Sequence, residues 1–319
     1  MPGIYGREES YIFKGVMYRK PYLSSEPYFP FGNCSVVNFG TTPEKKEIGN
    51  FTRINAGNAN SIERVQAIPL NITMHDMTPQ NLAIAMGGTA TAVTAATVTD
   101  EEITVFAGAV TPLANLAPTI TGVKSKDGDT APARANSTPY LVGDFYVPAA
   151  ANGHYYKVTV AGTSDSIAPT FTTDGTTFTD GTATVQDMGL IVYPLDGTHF
   201  TTTLGGVHVP DSASFGGISA TVGIPLLVSY SHTAQHVVQA GVSATQEWTL
   251  YFEGANEMQS GQKIRGGIYR AKFSTAQIVD LVGSDPGGLQ ITGEALVDST
   301  ITDPTKSSTH YVELEDLAA

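Results

Sequence analysis

Few side chains in this sequence stand at spacings that support chemistry. In SHTAQHVV, His232 and His236 lie four residues apart, a spacing that on a helix would aim both imidazoles at one metal ion. The flanking residues read as strand, where four residues span about 13 Å. KDGDT places Asp127 and Asp129 as a calcium loop would begin, but the later ligand positions are missing, so a solvated turn is expected. Glu101–Glu102 and the trio Glu313, Glu315 and Asp316 are read as surface carboxylates. Cys34 is the one cysteine, which rules out a disulfide within the chain and a Cys-based metal site. A lone thiol of this kind is expected to be a small buried hydrophobe. No phosphate-binding glycine loop, nucleophile elbow or H-E-x-x-H motif occurs. The expectation is a protein without catalytic residues, metal ligands or cofactor, and not an enzyme.

Charge is the more informative property. Across 319 residues the formal net charge is −13, unevenly spread. Residues 1–70 carry eight basic and six acidic side chains, a net of +2, and the remaining residues carry −15. A surface of that sign repels nucleic acid. Against this background Lys263, Arg265, Arg270 and Lys272 form a basic stripe in KIRGGIYRAKF. It is read either as a solvated face or as a surface that meets an acidic face on another copy of the chain.

The elements that must carry these groups are mostly strands. Hydrophobic residues make up 41% and charged residues 15%, enough for a core, and abundant Gly and Pro suit many short strands joined by turns. IPLNITM alternates cleanly, with Ile68, Leu70, Ile72 and Met74 on one side. Pro69 cannot donate to a ladder, so this strand is expected at an edge, or a pairing is expected to begin there. EWTLYFE places Trp248, Leu250 and Phe252 on one face, and LQITGEALV alternates from Leu289 to Val297. A bulge is expected at Gly266–Gly267. DMTPQNLAIAMGG is the best helix signal: Thr78 caps, Pro79 begins, Leu82, Ala85 and Met86 form the apolar stripe, and Gly87–Gly88 ends it. STAQIVDLVG, residues 274–283, suggests a second short helix. HYVELED reads as a last strand. The expected fold class is all-β with one or two short helices. No apolar run reaches the ~18 residues a membrane span needs, and the N-terminus lacks a signal-peptide core, so a cytosolic origin is expected.

Three divisions are expected. Residues 1–60 interleave aromatics and prolines with little period and read as an arm or long loop, whose Tyr11, Phe13, Tyr18, Tyr22, Tyr28 and Phe29 could pack on their own domain or on a neighbouring subunit. Residues 61–136 and 189–319 read as one discontinuous β body. Residues 137–188 hold five Asp, one Lys, no Glu and no Arg, a composition shift that marks an insertion near the lower size limit for its own core. Tyr155, Tyr156, Phe171 and Phe178 are its aromatics, either filling that core or standing on its surface.

LNITMHDMTPQNLAIAMGG, EEITVFAGAVTPLANLAPTITGV, IPLLVSYSHTAQ and IYRAKFSTAQIVDLVGSDPGGLQITGEALVDSTI, taken in order, resemble the tail tube proteins of tailed bacteriophages, of the long-tailed, non-contractile kind. The stretch YYKVTVAGTSDSIAPTFTTDGTTFTDGTATVQD is similar to a small β module found in many phage structural proteins, at Tyr156, Val158, Ala161–Thr163, Ala168–Phe171 and Thr179–Thr182. The resemblance implies a β-sandwich with a flanking helix, with the module on the outside of the assembly. It implies six copies in a ring and rings stacked head to tail into a tube through which double-stranded DNA passes without specific binding. It implies a virion tail location after assembly in the bacterial cytoplasm, with tape-measure, tail terminator and baseplate proteins as partners. On this reading the aromatics of residues 1–30 and the basic stripe become contacts between subunits. The competing reading is a virion decoration protein or adhesin whose insert binds host glycans through Tyr155, Phe171 and Phe178.

Overall fold

The computed structural model describes residues 11–52, 57–195, 197–212, 215–243, 246–259, 261–276, 287–302 and 312–316. It is mostly β, built from antiparallel sheets with two short α-helices. The chain divides into two compact units, Met1–Thr91 with His236–Ala319, and Ala92–Gln235. The body expected over 61–136 and 189–319 is thus divided, because residues 92–136 and 189–235 pack with the insert's unit and not with the flanking strands.

The first unit is one nine-stranded sheet. Its path runs Phe29–Pro30, Phe13–Pro21, Glu247–Asn256, Gln262–Phe273, Leu289–Ala295, Asn58–Met74 and Cys34–Phe39. Thr42–Gly49 pairs with the early half of Asn58–Met74, and Val312–Asp316 pairs with Ile264–Ile268. The described residues 13–49 of the expected arm are therefore largely sheet strands. Phe13–Pro21 pairs along its whole length with Glu247–Asn256, and it alternates: Met17 and Arg19 point inward while Tyr18 stays half-exposed. The mixed aromatic and proline content hid a two-residue period.

The core of this unit gathers Met17, Phe31, Ile68, Leu70, Ile72, Met74, Leu250, Ile268, Phe273 and Ile291, with Trp248 and Phe252 packed on it. IPLNITM buries the four residues its alternation selects, but it is not an edge, since Ile72 sits opposite both Ile291 and Val37. Pro69 is accommodated because pairing with Cys34–Phe39 begins one residue later, at Leu70 opposite Phe39, and Thr42 takes over opposite Ala67. The missing N–H falls in the gap between two partner strands, and the Pro69 carbonyl accepts from Gly40 N at 3.1 Å.

Helix α1 (Pro79–Ala85) begins as expected, with Thr78 Oγ1 accepting from Asn81 N at 3.2 Å. Its inward face is Asn81, Ala83, Ile84 and Ala85; of the expected stripe only Ala85 is buried, while Leu82 and Met86 are half-buried. A polar residue sets the face: Asn81 Nδ2 donates to Phe31 O at 2.7 Å and Asp76 O at 2.8 Å, tying the helix to the chain it covers. The bulge in Gln262–Phe273 also lies elsewhere. Trp248 pairs with Ala271 and Leu250 with Ile268, so the extra residue falls at Tyr269–Arg270 and not at Gly266–Gly267. The helix expected at 274–283 falls largely outside the described residues.

The second unit has a sheet ordered Val192–Tyr193, Thr119–Ser125, Ile224–His232 and Ala96–Val105, and a three-stranded sheet of Thr201–Thr203, Gly206–His208 and Val110–Pro112. Val105, Val123, Tyr193, Leu226, Val228 and Tyr230 are central to its core. Helix α2 (Lys126–Thr130) follows Thr119–Ser125 directly, capped by Ser125 Oγ. The expected solvated turn at KDGDT is this helix. Nested in the unit is the inserted module, a sheet ordered Phe145–Tyr146, His154–Val160, Ala183–Leu190 and Thr177–Asp180 with its own core.

Ile72 touches the core from both sheet neighbours, so Ile72→Ala is expected to lower the stability of the first unit by about 2–5 kcal/mol. Trp248 is the only tryptophan and packs on that same core. Its fluorescence in a urea titration reads the loss directly; an unchanged midpoint would contradict the assigned register.

Candidate functional site

Two features stand out where function would lie: a projecting hairpin in the first unit and the inserted module in the second. The hairpin is made by Thr42–Gly49 and the early residues of Asn58–Met74, paired from Thr42 opposite Ala67 to Gly49 opposite Asn58. Every residue from 42 to 48 and from 58 to 66 is exposed, on both faces. Ile48 is 62%, Ile62 51% and Phe51, at the turn, 92% exposed. Ile48 and Ile62 share one face, since Lys46 pairs with Ile62 and Ile48 with Asn60. Among its described residues three acidic side chains, Glu44, Glu47 and Glu63, balance three basic ones, Lys45, Lys46 and Arg64. Ion pairs join Lys46 to Glu44 at 3.3 Å and Lys45 to Glu47. Sequence reasoning took this region for loop. The alternating EKKEI and SIERV runs around an Asn- and Gly-rich turn were the available signal.

The aromatics of residues 1–30 lie on their own sheet. Tyr18 donates its hydroxyl to Glu253 at 2.8 Å and its ring lies 6.0 Å from Tyr251, which also meets Tyr28 at 5.7 Å. Tyr22 donates to Asp298 at 2.9 Å, beneath the Arg270 guanidinium. Tyr11, Phe13 and Phe29 remain exposed. The basic stripe is likewise engaged within its own chain. Arg270 binds Glu247 through two hydrogen bonds of 2.7 Å, and Arg265 pairs in backbone register with Glu253 and Glu315. Lys263 is exposed and Lys272 lies between Glu247 and Glu294 in register. Of the four, Arg270 ties neighbouring strands together, through Glu247.

The other sequence candidates are scattered. His232 is buried, with Nδ1 2.9 Å from Thr233 O, and His236 is exposed. Glu101 accepts from Tyr230 Oη and Ala114 N, and Glu102 pairs with Lys126. Asp129 pairs with Lys124 at 3.5 Å. Cys34 is half-buried against the first core, where burial pushes its thiol up. Among the described residues no group of three or more His, Cys, Asp or Glu is placed to hold a metal ion, and no helix is long and apolar enough to cross a membrane.

The inserted module is organised around one buried carboxylate. Asp180, in its T-D-G-T segment, accepts from Arg134 Nε and Nη2, each at 2.6 Å, from Tyr146 Oη at 2.9 Å and from Asp165 N at 3.0 Å. The side chains of Arg134 and Asp180 are 2% and 1% exposed. Arg134 also donates to Asn136 Oδ1 and to the Asp165 carbonyl. Burial alone would push the Asp180 carboxyl up, but the Arg134, Asp165 and Tyr146 hydrogen bonds hold it below the usual carboxylate range. Burial and Asp180 together push the Tyr146 phenol well up. Residues 137–188 contain no Arg, so the counter-charge comes from outside the expected boundary. The module begins no later than Arg134.

Its aromatics form the core and not a platform. Tyr155 and Tyr156 are buried and Phe171 and Phe178 half-buried. Tyr156 meets Phe171 at 5.0 Å and Phe178 at 5.5 Å, edge-on to the latter. Tyr155 turns the other way and packs on α2, where a Cβ at Gly128 would lie 2.9 Å from its ring. Tyr155 is therefore closed to sugar stacking, while Phe171 and Phe178 are half-buried rings packed on the module core.

Asp180→Asn leaves Arg134 buried without its counter-charge and is expected to cost the module about 3–5 kcal/mol. A folded-state carboxyl held low stabilises fully above the unfolded value of about 3.9 and loses that contribution as pH falls through the lower folded value. Amide exchange protection across 154–160 and 183–190 should therefore be flat between pH 7 and 5 and fall as pH drops below the unfolded carboxyl value of about 3.9. The variant should lack protection at every pH while Trp248 fluorescence stays native.

No curated protein matches the chain in sequence. The sequence profile of a family described as "Protein of unknown function UCP028589" matches residues 10–179 and 182–313, which takes in both strands of the hairpin and Arg134, while Asp180 falls between the two matched segments. The match spans nearly the whole chain, and the protein belongs to that family.

Proposed function

We propose that this protein is a structural virion subunit that assembles with copies of itself into stacked hexameric rings, forming the tail tube through which a phage genome leaves the capsid. The observation that carries the reading is the hairpin. An isolated two-stranded ribbon is marginal in water, and this one presents apolar side chains on exposed faces with no covering segment among the described residues. A second copy of the chain would supply the missing cover. Across residues 42–66 four basic side chains stand against three acidic ones, so the hairpin does not carry the negative repulsion that a chain of net −13 would otherwise bring to self-association. A contact between a projection on one copy and a different surface on the next is heterologous, and such contacts close into rings or continue into stacks.

The acidic balance fits a DNA conduit. Even a few lysine–phosphate contacts per ring would sum along a tube and hold the genome in place. Tape-measure, tail terminator and baseplate proteins are the further partners this role requires, and the module would sit on the outside, where it leaves the passage clear.

Negative-stain electron microscopy of the purified protein over a concentration series tests the reading. Wild type should give six-fold rings or hollow tubes. The double variant Ile48→Asp, Ile62→Asp should raise the concentration needed for assembly by about tenfold or more. Its Trp248-monitored urea midpoint should not move, because both residues lie outside the core. Dispersed monomers of wild type throughout, or tubes indifferent to the double variant, would sink the proposal.

A further inference from the structure

The second unit holds a cleft of ≈ 470 Å³ between α2 and the turn that carries Tyr140 to Phe145. Its walls are built, not incidental. Tyr140 and Phe145 are half-exposed, and each is braced by a buried ring: Tyr140 by Tyr146 at 5.2 Å, Phe145 by Tyr155 at 5.9 Å. Tyr140 Oη also accepts from Ala135 N at 2.9 Å, which fixes the tilt of that ring. The turn between the two is closed by Leu141 N donating to Asp144 Oδ2 at 2.7 Å and Asp144 N to Leu141 O at 3.1 Å. Gly143, at φ +98, occupies the turn's left-handed position, and nothing lies within 4 Å of where its Cβ would be. The cleft is therefore shaped before any ligand arrives, so little ordering cost would attend binding.

The chemistry of the lining selects the ligand class. Asp127 projects from α2 into the cleft, and among the described residues no hydrogen bond or ion pair engages its carboxylate. Burial pushes that carboxyl up, against the pull of Lys157 and Lys126. Thr130 donates its hydroxyl to Lys126 O at 2.9 Å, leaving its oxygen free to accept. Lys157 Nζ stands 5.5 Å from the centre of the Phe145 ring. A cation would meet Lys157 already placed there, and an anion would meet Asp127 and Asp144. What fits ring faces, acceptors and a donor of mixed charge is a neutral ligand with an apolar C–H face and hydroxyls that both give and receive hydrogen bonds.

We propose that this cleft binds a neutral saccharide, its ring stacked on Tyr140 and Phe145 and its hydroxyls held by Asp127, Thr130 and Lys157. A cleft of this volume takes a segment of disaccharide size. The site uses different residues from the buried aromatics of the module core, and it is separate from the hairpin, so it stands or falls apart from assembly.

The test uses the full-length protein with maltotriose, cellotriose, chitotriose and rhamnose, by saturation-transfer NMR and then calorimetry. At least one sugar should bind with a Kd of about 10 mM or tighter. Asp127→Asn should weaken it about tenfold, and Thr130→Trp, which fills the cleft from an exposed position, should abolish it. Exchange protection across 154–160 should stay native in both, which separates a lost site from a lost fold. Absence of binding across the panel overturns the proposal. So does affinity that survives both variants within about twofold. Saturable binding of phosphate or tetramethylammonium in place of sugar would overturn the ligand class.

Discussion

One strand, Asn58–Met74, joins two environments along a single backbone, and the first unit is arranged around it. From Ile68 to Met74 it is the sheet's interior, alternately buried, and from Leu70 onward it is paired on both sides. From Asn58 to Gln66 the same strand stands exposed, with Thr42–Gly49 its one paired neighbour among the described residues. A slip of one residue would turn Ile68, Leu70, Ile72 and Met74 to the wrong face, so the core dictates the register of the whole strand. The projection's base and facing are therefore inherited from interior packing. Pro69 marks the hand-over, placed where one partner strand has ended and the next has not begun.

The inserted module solves a different difficulty. A core of five buried residues, with Tyr140, Phe171 and Phe178 alongside, is small for a self-standing fold. The Arg134–Asp180 pair adds directionality where area is short. Four donors converge on one carboxylate from three chain segments, so the loops carrying Arg134, Asp165 and Asp180 have one mutual arrangement. A buried ion pair of this kind is weak evidence for added stability, yet removing either partner is costly. It specifies more than it strengthens, and it leaves the braced rings of Tyr140 and Phe145 in fixed positions.

Alternation was legible where it was simple. IPLNITM buries every residue its period selects, EWTLYFE buries Leu250 with Trp248 and Phe252 half-buried on the same core, LQITGEALV buries Leu289, Ile291 and Ala295 but leaves Val297 exposed, and Thr78–Pro79 marks the start of α1. Legibility failed where a tertiary partner decided. Asn81 rotates the helix face because its amide finds Phe31 and Asp76. The bulge moved to Tyr269–Arg270 because Trp248 and Leu250 set the opposing register, which no local glycine count reports. Residues 13–49 looked irregular because aromatic, charged and proline positions mask a short period, and their partners lie far along the chain. The cleft beside α2 had no linear signature, since Asp127, Tyr140, Phe145 and Lys157 meet only through the fold. Arg134 was hidden by an assumed boundary. A nearly Arg-free segment with a buried Asp implies a borrowed cation, and that inference was open from the sequence.

The route of the chain has a consequence for how the molecule is made. Residues 92–235 are contiguous and form one unit, whereas the other unit needs both ends of the chain. Phe13–Pro21 meets Phe29–Pro30 early but finds its full-length partner only when Glu247–Asn256 appears, and Ile12 and Asn256 are 244 positions apart. On the ribosome the inner unit can close while the first strands wait, displaying unpaired backbone edges and bare aromatics to every neighbouring nascent chain. Long-range pairing of this kind is also slow. Synthesis thus creates an interval in which early termination or crowding favours entanglement between copies over folding within one.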